Sequence, residues 1–572
     1  MNAHGTIPAM SGHPNQHGMT AGWIGLVLLL LSHSAAVHAD EQQPTTDMVL
    51  GDPPTPEIDP KSIEASGAVI GTITINSRNV FDLDNPLDNK SLYRLANRLH
   101  IVTKPHIIET QLQFEEGDKY SKRLSDESER ILRRNVYLRE ADIRPVRYEN
   151  GVVDLEVETT DVWTLTPELS LSRSGGENRF GIGIEEQNLL GRGINLGVKF
   201  KRTVDRDTMS LRYIDRNFLN DQYTLGTFLA ETSDGFFRQF QFGKPFYALD
   251  RKRAGGMFYS RGEQIDQLYD RGNVVADFNH QFEYHEASFG LSRGLYKGWV
   301  KRFSAGVAYS KNEFADSPDT TLPVTIIPDD REYLYPFVEF QLVQDHFEKT
   351  VNFDQIHRTE DRFLGTSLHF RVGYSGEGSG STADAWHYRA GFQNSLINSK
   401  KTSLTVGSSL SGRWQENEAQ NAMLSAVVRF HRRVGGNRLV YASLSGTAGK
   451  NLDIDNPLYL GGETGLRGYP LRYQNGDSKI LLTLEQRFFS DWYPFRLVYV
   501  GAAVFFDAGR TWGESPVGAP NLGILKDVGI GLRLSSSRTG SNKVVHIDLA
   551  FPLDGEDDID NVQILIDAKR SF

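Results

Sequence analysis

Val528-Gly529-Ile530-Gly531-Leu532-Arg533-Leu534 places an aliphatic side chain at every second position, with a glycine or a cation between. A period of two marks a strand with unlike faces, one apolar and one wet. The same alternation appears upstream. Ile194, Leu196, Val198 and Phe200 alternate with Asn195, Gly197, Lys199 and Lys201; Met209, Leu211 and Tyr213 with Ser210 and Arg212; Phe240 and Phe242 with Gln239, Gln241 and Gly243. A soluble sandwich also alternates. Here the polar partners are rich in Lys, Arg and Gly, which suits a watery lumen better than a dry core. The pattern also runs for about 400 residues after Trp163 with no amphipathic helix, too long for one sandwich. The expected fold is therefore mainly β, with a transmembrane antiparallel β-barrel over residues 162–572.

Composition agrees. The chain has 572 residues, a net charge of −11, 54 Gly and no Cys, and its aromatics are 32 Phe, 22 Tyr and 7 Trp. That aromatic content excludes a solvated coil, and the lack of Cys excludes a disulfide-stapled domain. After residue 31 no run approaches the ~20 apolar residues that a helical span needs. The acidic balance gives no reason to expect nucleic acid.

Residues 23–31 are an apolar run ending in Ser32-His33-Ser34-Ala35-Ala36-Val37-His38-Ala39. This is the h-region and cleavage site of a signal peptide over residues 1–39, although residues 2–22 lack Lys and Arg. Residues 40–66, with Pro44, Pro53, Pro54, Pro56 and Pro60, read as a Pro-rich linker without a fold of its own. Residues 67–161 then read as a small soluble β-α-α-β-β unit. Val69, Ile73 and Ile75 form one strand face, and Leu92, Leu95, Ala96 and Leu99 form a helical stripe with Ser91 as N-cap. A second helix has its stripe at Leu124, Ser128, Ile131 and Leu132, with an outer face dense in Glu and Arg. Two strands, residues 141–148 and 152–159, flank the hairpin signal Asn150-Gly151.

Three stretches resemble the BamA/TamA superfamily of outer-membrane assembly and secretion barrels, in its single-POTRA, bacterial surface antigen form. The first is Leu99-His100, Phe114-Glu115-Glu116-Gly117-Asp118-Lys119-Tyr120-Ser121 and Leu132-Arg133, similar to one POTRA domain. The second is Leu460-Gly461-Gly462-Glu463-Thr464-Gly465-Leu466-Arg467-Gly468-Tyr469-Pro470, similar to the family's signature loop, here residues 458–473. The third is the strand motif Phe505-Phe506-Asp507-Ala508-Gly509 that follows that loop. Val562, Ile564, Ile566, Ala568 and Arg570 share a face with the terminal Phe572, as in the C-terminal signal of bacterial outer-membrane barrels, and Arg570 can snorkel to headgroups.

The glycines Gly461, Gly462, Gly465 and Gly468 permit positive φ and close backbone approach, so the loop can fold back on itself. Arg467 among them is a fork of five donors, and tucked into a lumen it would require carboxylates. The resemblance implies that these are Asp507 and Glu485. It also implies a 16-strand barrel, whereas alternating segments number nearer 20, with residues 273–283 and 333–343 open to a reading as loops or excursions.

No hydrolase, metal or phosphate-loop motif occurs, so no catalytic residue, metal or cofactor is expected. His280 and His285, five apart on an alternating stretch, face opposite sides. Asp329-Asp330 and Asp557-Asp558 read as solvated turns. What the resemblance implies is a Gram-negative outer-membrane protein with its POTRA domain in the periplasm. It would insert or translocate unfolded polypeptide clients, captured by POTRA β-augmentation, in contact with outer-membrane lipid and without nucleotide. A passive channel or surface structural protein, and a rim-active hydrolase, are the alternatives.

Overall fold

The computed structural model describes residues 59–318, 322, 326–518, 522–540, 543–555, 558–569 and 571. The expected signal peptide, the linker up to residue 58, Arg570 and Phe572 lie outside the described residues. Asp59 caps the backbone N–H groups of Lys61 and Ser62, Pro60 begins the first turn, and Gly67 closes the last in the left-handed region (φ 72°). These signals make a helix, α1 (Pro60–Ser66), whose Ile63 is buried in the small domain's core. The expected linker therefore does not extend to residue 66.

The small domain continues with β1 (Val69–Arg78), α2 (Ser91–Leu99), α3 (Pro105–Glu109), α4 (Lys122–Arg133), β2 (Leu138–Glu149) and β3 (Val152–Asp161). It thus has two short helices beyond the expected β-α-α-β-β order. Its sheet runs β1-β3-β2, with β3 parallel to β1 and antiparallel to β2. Asn150 and Gly151 both take positive φ, 50° and 79°, as a two-residue hairpin turn demands. Ile70, Leu132, Val153, Leu155 and Val157 meet in the core.

Two expectations fail in this domain. The α2 stripe does not face the core: Leu92, Leu95 and Leu99 are exposed, and the buried residue is Tyr93, stacked on Phe81 at 4.3 Å. The reason is that α2 packs against the barrel rim through Leu497, Val498 and Trp163 and not over the sheet. Ser91 is the first helical residue, and the N-cap is Lys90, which makes no side-chain cap. Nor is the charged face of α4 solvated. Glu127, Glu129, Arg130 and Arg133 are buried because that face docks on the barrel. Arg133 makes a two-pronged pair with Asp361 (2.8 and 2.7 Å), Arg130 lies over the Phe347 ring at 3.9 Å, and Glu127 accepts the Leu249 N–H at 2.7 Å.

Beyond residue 162 the strands close into a barrel of 20, from Leu165–Ser174 to Gln563–Lys569, with every neighbour antiparallel. The family-based count of 16 is thereby corrected. Residues 273–283 and 333–343 belong to wall strands Asn273–Tyr296 and Arg331–Gln344. The former is 24 residues long, about 80 Å at ~3.4 Å per residue, where a tilted crossing needs only about 9–11 residues. Toward its Asn273 end the outward side chains, Asp277, Asn279, Gln281 and Glu283, are polar while Phe278 and His280 stay buried inside. That polar outer face imitates a loop. Elsewhere on the wall the outward residues, among them Ile182, Leu424, Val504 and Ile530, are apolar and exposed.

An even strand count brings both ends of the barrel to the rim that carries the small domain. From that rim a hairpin, Phe347–Val351 paired with Thr359–Phe363, folds into the lumen. Its Ile356 is buried among Leu439, Phe489, Ala503 and Val544.

Candidate functional site

The loop over residues 458–473 descends into the barrel from the opposite rim, between wall strands Arg438–Lys450 and Ser478–Phe489. Leu458–Leu460 pairs with Gln474–Gly476, and this short ladder folds the loop back on itself. Gly461 (φ 131°) and Gly465 (φ 110°) make the bends. A Cβ there would lie 2.4 Å from the Pro470 carbonyl oxygen and 2.3 Å from Leu481 Cδ2, respectively. Gly462 also has positive φ. Gly468 does not; its role is close approach, since a Cβ would stand 2.7 Å from that of Asp527. Leu460, Leu466, Tyr469 and Tyr473 pack with Leu525 of the wall, and Tyr469 Oη lies 2.8 and 2.7 Å from the carbonyls of Lys526 and Asp554.

The fold carries Arg467 to the inner faces of the strands Ser478–Phe489, Val498–Trp512 and Val544–Pro552. Its Nε and Nη2 donate to Asp507 at 2.7 and 3.1 Å, and Nη1 donates to Glu485 at 2.9 Å. The guanidinium rests 3.4 Å from the centroid of the Phe505 ring. Gly509 keeps space for the loop: a Cβ would be 2.9 Å from Leu460 Cδ2. Burial opposes the charge on Arg467, but the carboxylates of Asp507 and Glu485 outweigh it and hold the guanidinium pKa well above its ordinary value.

Four further members escaped sequence reasoning. Arg487 donates to Glu485 at 2.9 Å, Asp527 accepts the Gly468 N–H at 3.1 Å, and Arg533 pairs with Asp548, which also stands 3.5 Å from Arg467. All are almost fully buried. The signal was present for Arg533 and Asp548, since each occupies the polar phase of an alternating strand. Their pairing needs the interstrand register, in which Gly531 stands opposite Asp548.

Between this cluster and the small domain lies a cavity of about 1830 Å³, lined by 18 Lys and Arg against 11 Asp and Glu, a surplus of seven positive charges in a chain of net charge −11. Hairpin residue Glu360 borders it. Its carboxylate accepts the backbone N–H groups of Phe353, Asp354 and Gln355 at 2.8, 2.9 and 3.2 Å, and burial, with the neighbouring Asp354, pushes its pKa up to about 7. His280 sits inside, 2.7 Å from Asp266, while His285 faces outward between Tyr259 and Tyr309. Ser375 Oγ lies 2.9 Å from His387 Nε2; Ser375 is wholly buried and its hydroxyl faces the carbonyls of Ala383 and Ala385.

The wall closes unevenly. Among the described residues, the last strand meets the first at a single position, Ile566 opposite Arg173. The first and second strands pair at ten positions, Leu165 opposite Glu186 through Ser174 opposite Glu177.

An Omp85 superfamily domain model matches residues 188–567. No curated protein matches the sequence. Among solved structures, the chain is similar to CdiB from Escherichia coli, at 13% identity over 87% of this chain and 76% of that one, with a TM-score of 0.46. It is also similar to CdiB from Acinetobacter baumannii (13%, 88% and 74%, TM-score 0.41). BamA from Haemophilus ducreyi lacking POTRA domains 1–3 gives 13%, 87% and 85%, with a TM-score of 0.37.

Proposed function

The chain belongs to the Omp85 superfamily, and from that membership we propose that it inserts or translocates polypeptides at the outer membrane without hydrolysing nucleotide. The seam carries the reading. Among the described residues the junction is held at Ile566 and Arg173 alone, so this side of Leu165–Ser174 is an edge onto which an extended client strand can add. Among the described residues, opening it breaks far fewer interstrand pairings than opening any fully laddered neighbour, and the client's own folding supplies the driving force.

In this reading the small domain is a POTRA domain at the periplasmic rim, exported with the barrel behind a signal peptide. The sheet order leaves β2 at an edge, with its Val146 and Tyr148 exposed, and that edge takes the client by main-chain pairing. The pinned loop holds the wall strands nearest the seam in register while the seam opens. The hairpin over Ile356 and the loop pack against the inner wall at opposite rims and narrow the lumen, which supports insertion at the seam over passive conduction.

The test exploits a chain without cysteine. Arg173→Cys with Ile566→Cys places two thiols across facing strands, within disulfide reach. Oxidised protein in vesicles is expected to stop folding a urea-denatured small outer-membrane barrel, and reduction to restore it. Undiminished folding by the cross-linked protein would refute the seam reading.

A further inference from the structure

α2 presents its apolar face away from the fold. Leu92, Leu95 and Leu99 are 56%, 51% and 65% exposed, and Leu87 and Ile101, on either side of the helix, are equally bare. Tyr93, on the flank of that stripe, with Ala96 at the stripe's edge, holds the helix to the rim. An amphipathic helix docked by its less apolar side, with its leucines outward, demands an explanation.

Its position supplies one. Residues 80–104 run along the rim beneath the seam. At one end the Tyr93 hydroxyl bonds the Phe495 carbonyl, and Arg538 donates to Val80 O and Asp88 (both 2.9 Å), in the turns that precede and follow the strands Val498–Trp512 and Leu525–Ser536. At the other end the Lys104 N–H donates to Gly191 O at 2.9 Å, in the turn after the second barrel strand. The last and first strands lie between these anchors. The anchoring turns themselves expose Trp492, Phe495 and Leu190, so the bare leucines continue the apolar outer surface of the barrel. The polar residues fit the same surroundings. Lys90, Arg94, Arg98 and Lys104 lie within a stretch, residues 89–108, that holds no Asp or Glu, and none of the four pairs with a carboxylate among the described residues. Leucines flanked by unneutralised cations are the pattern of a helix lying in a lipid interface, with basic side chains reaching to anionic headgroups.

We propose that α2 is an interfacial helix, seated in the bilayer leaflet on the small-domain side directly under the seam. There its leucines displace lipid and hold the small domain against the membrane where the wall is weakest. The inference rests on the reading of the barrel as membrane-spanning, and the experiment separates the two. Leu95→Cys, Leu92→Cys and Ile530→Cys, the last on the outer face of the wall, each give one thiol for an environment-sensitive dye. The positions are exposed, so folding is spared. In vesicles of phosphatidylcholine and phosphatidylglycerol, spin-labelled lipid is expected to quench all three dyes at least twofold, while aqueous iodide leaves them bright. If Ile530→Cys is quenched by lipid but Leu95→Cys and Leu92→Cys are quenched only by iodide, the helix stands in water and the proposal falls. It falls equally if those two dyes are shielded from both quenchers, since a protein then covers the face. Failure of Ile530→Cys itself would overturn the membrane-spanning reading instead.

Discussion

Replacing Arg467 by alanine removes three charge-assisted hydrogen bonds, of 2.7, 2.9 and 3.1 Å, and the guanidinium stacked on Phe505. The carboxylates left behind are not equivalent. Glu485 keeps Arg487 at 2.9 Å, but Asp507 loses both prongs of its pair at 2% exposure, facing Asp527 across the ladder. Removing one partner of a buried ion pair costs about 3–5 kcal/mol, most of it from the orphaned charge. That lowers the ratio of docked to undocked loop by about two to three and a half powers of ten, at ~1.4 kcal/mol per factor of ten. Because the cluster ties the loop to several wall strands, the barrel of Arg467→Ala is expected to lose its compact, heat-modifiable gel mobility at a lower temperature than wild type and to assemble less client. Arg467→Lys keeps the charge without the fork and should fall between the two, losing about 1.5–3 kcal/mol. Adding Asp507→Asn to Arg467→Ala removes the orphaned charge and should recover part of the loss. Wild-type gel mobility and client assembly in Arg467→Ala would refute the pinning argument.

Glu360 makes the docked hairpin sensitive to pH. Its carboxyl titrates near 7 when docked and near 4.5 in water, so the docked state binds the extra proton between those values. Stability should therefore fall as pH rises from about 4.5 to 7 and level off above, a trend that thermal melts of Glu360→Gln should lack. Excising residues 347–363 removes the lumen's inner plug, and the positive surplus on the cavity wall predicts that the resulting conductance favours anions. A reversal potential of cationic sign in a salt gradient would contradict the charge reading.

Strand periodicity was readable from residues alone wherever lipid met the wall, because a two-sided environment writes itself into every second side chain, as in Val528 to Leu534. The loop's chemistry was readable too: a single arginine among glycines states what it needs. The tally of alternating segments, nearer 20, agrees with the 20 wall strands and the family-based 16 does not; what the pattern left open was whether residues 273–283 belong to the wall, since the outer face of Asn273–Tyr296 turns polar there and the contrast vanishes. Nor could local pattern say which face of α2 or α4 would be covered. An amphipathic stripe reports that two faces differ, and only the docking of the small domain on the rim decided that the charged face of α4 would be buried and the leucines of α2 left bare. The pairing of Arg533 with Asp548, and the near-absence of a ladder between Leu165–Ser174 and Gln563–Lys569, belong likewise to closure, in which residues hundreds of positions apart meet through register that no neighbouring residue encodes.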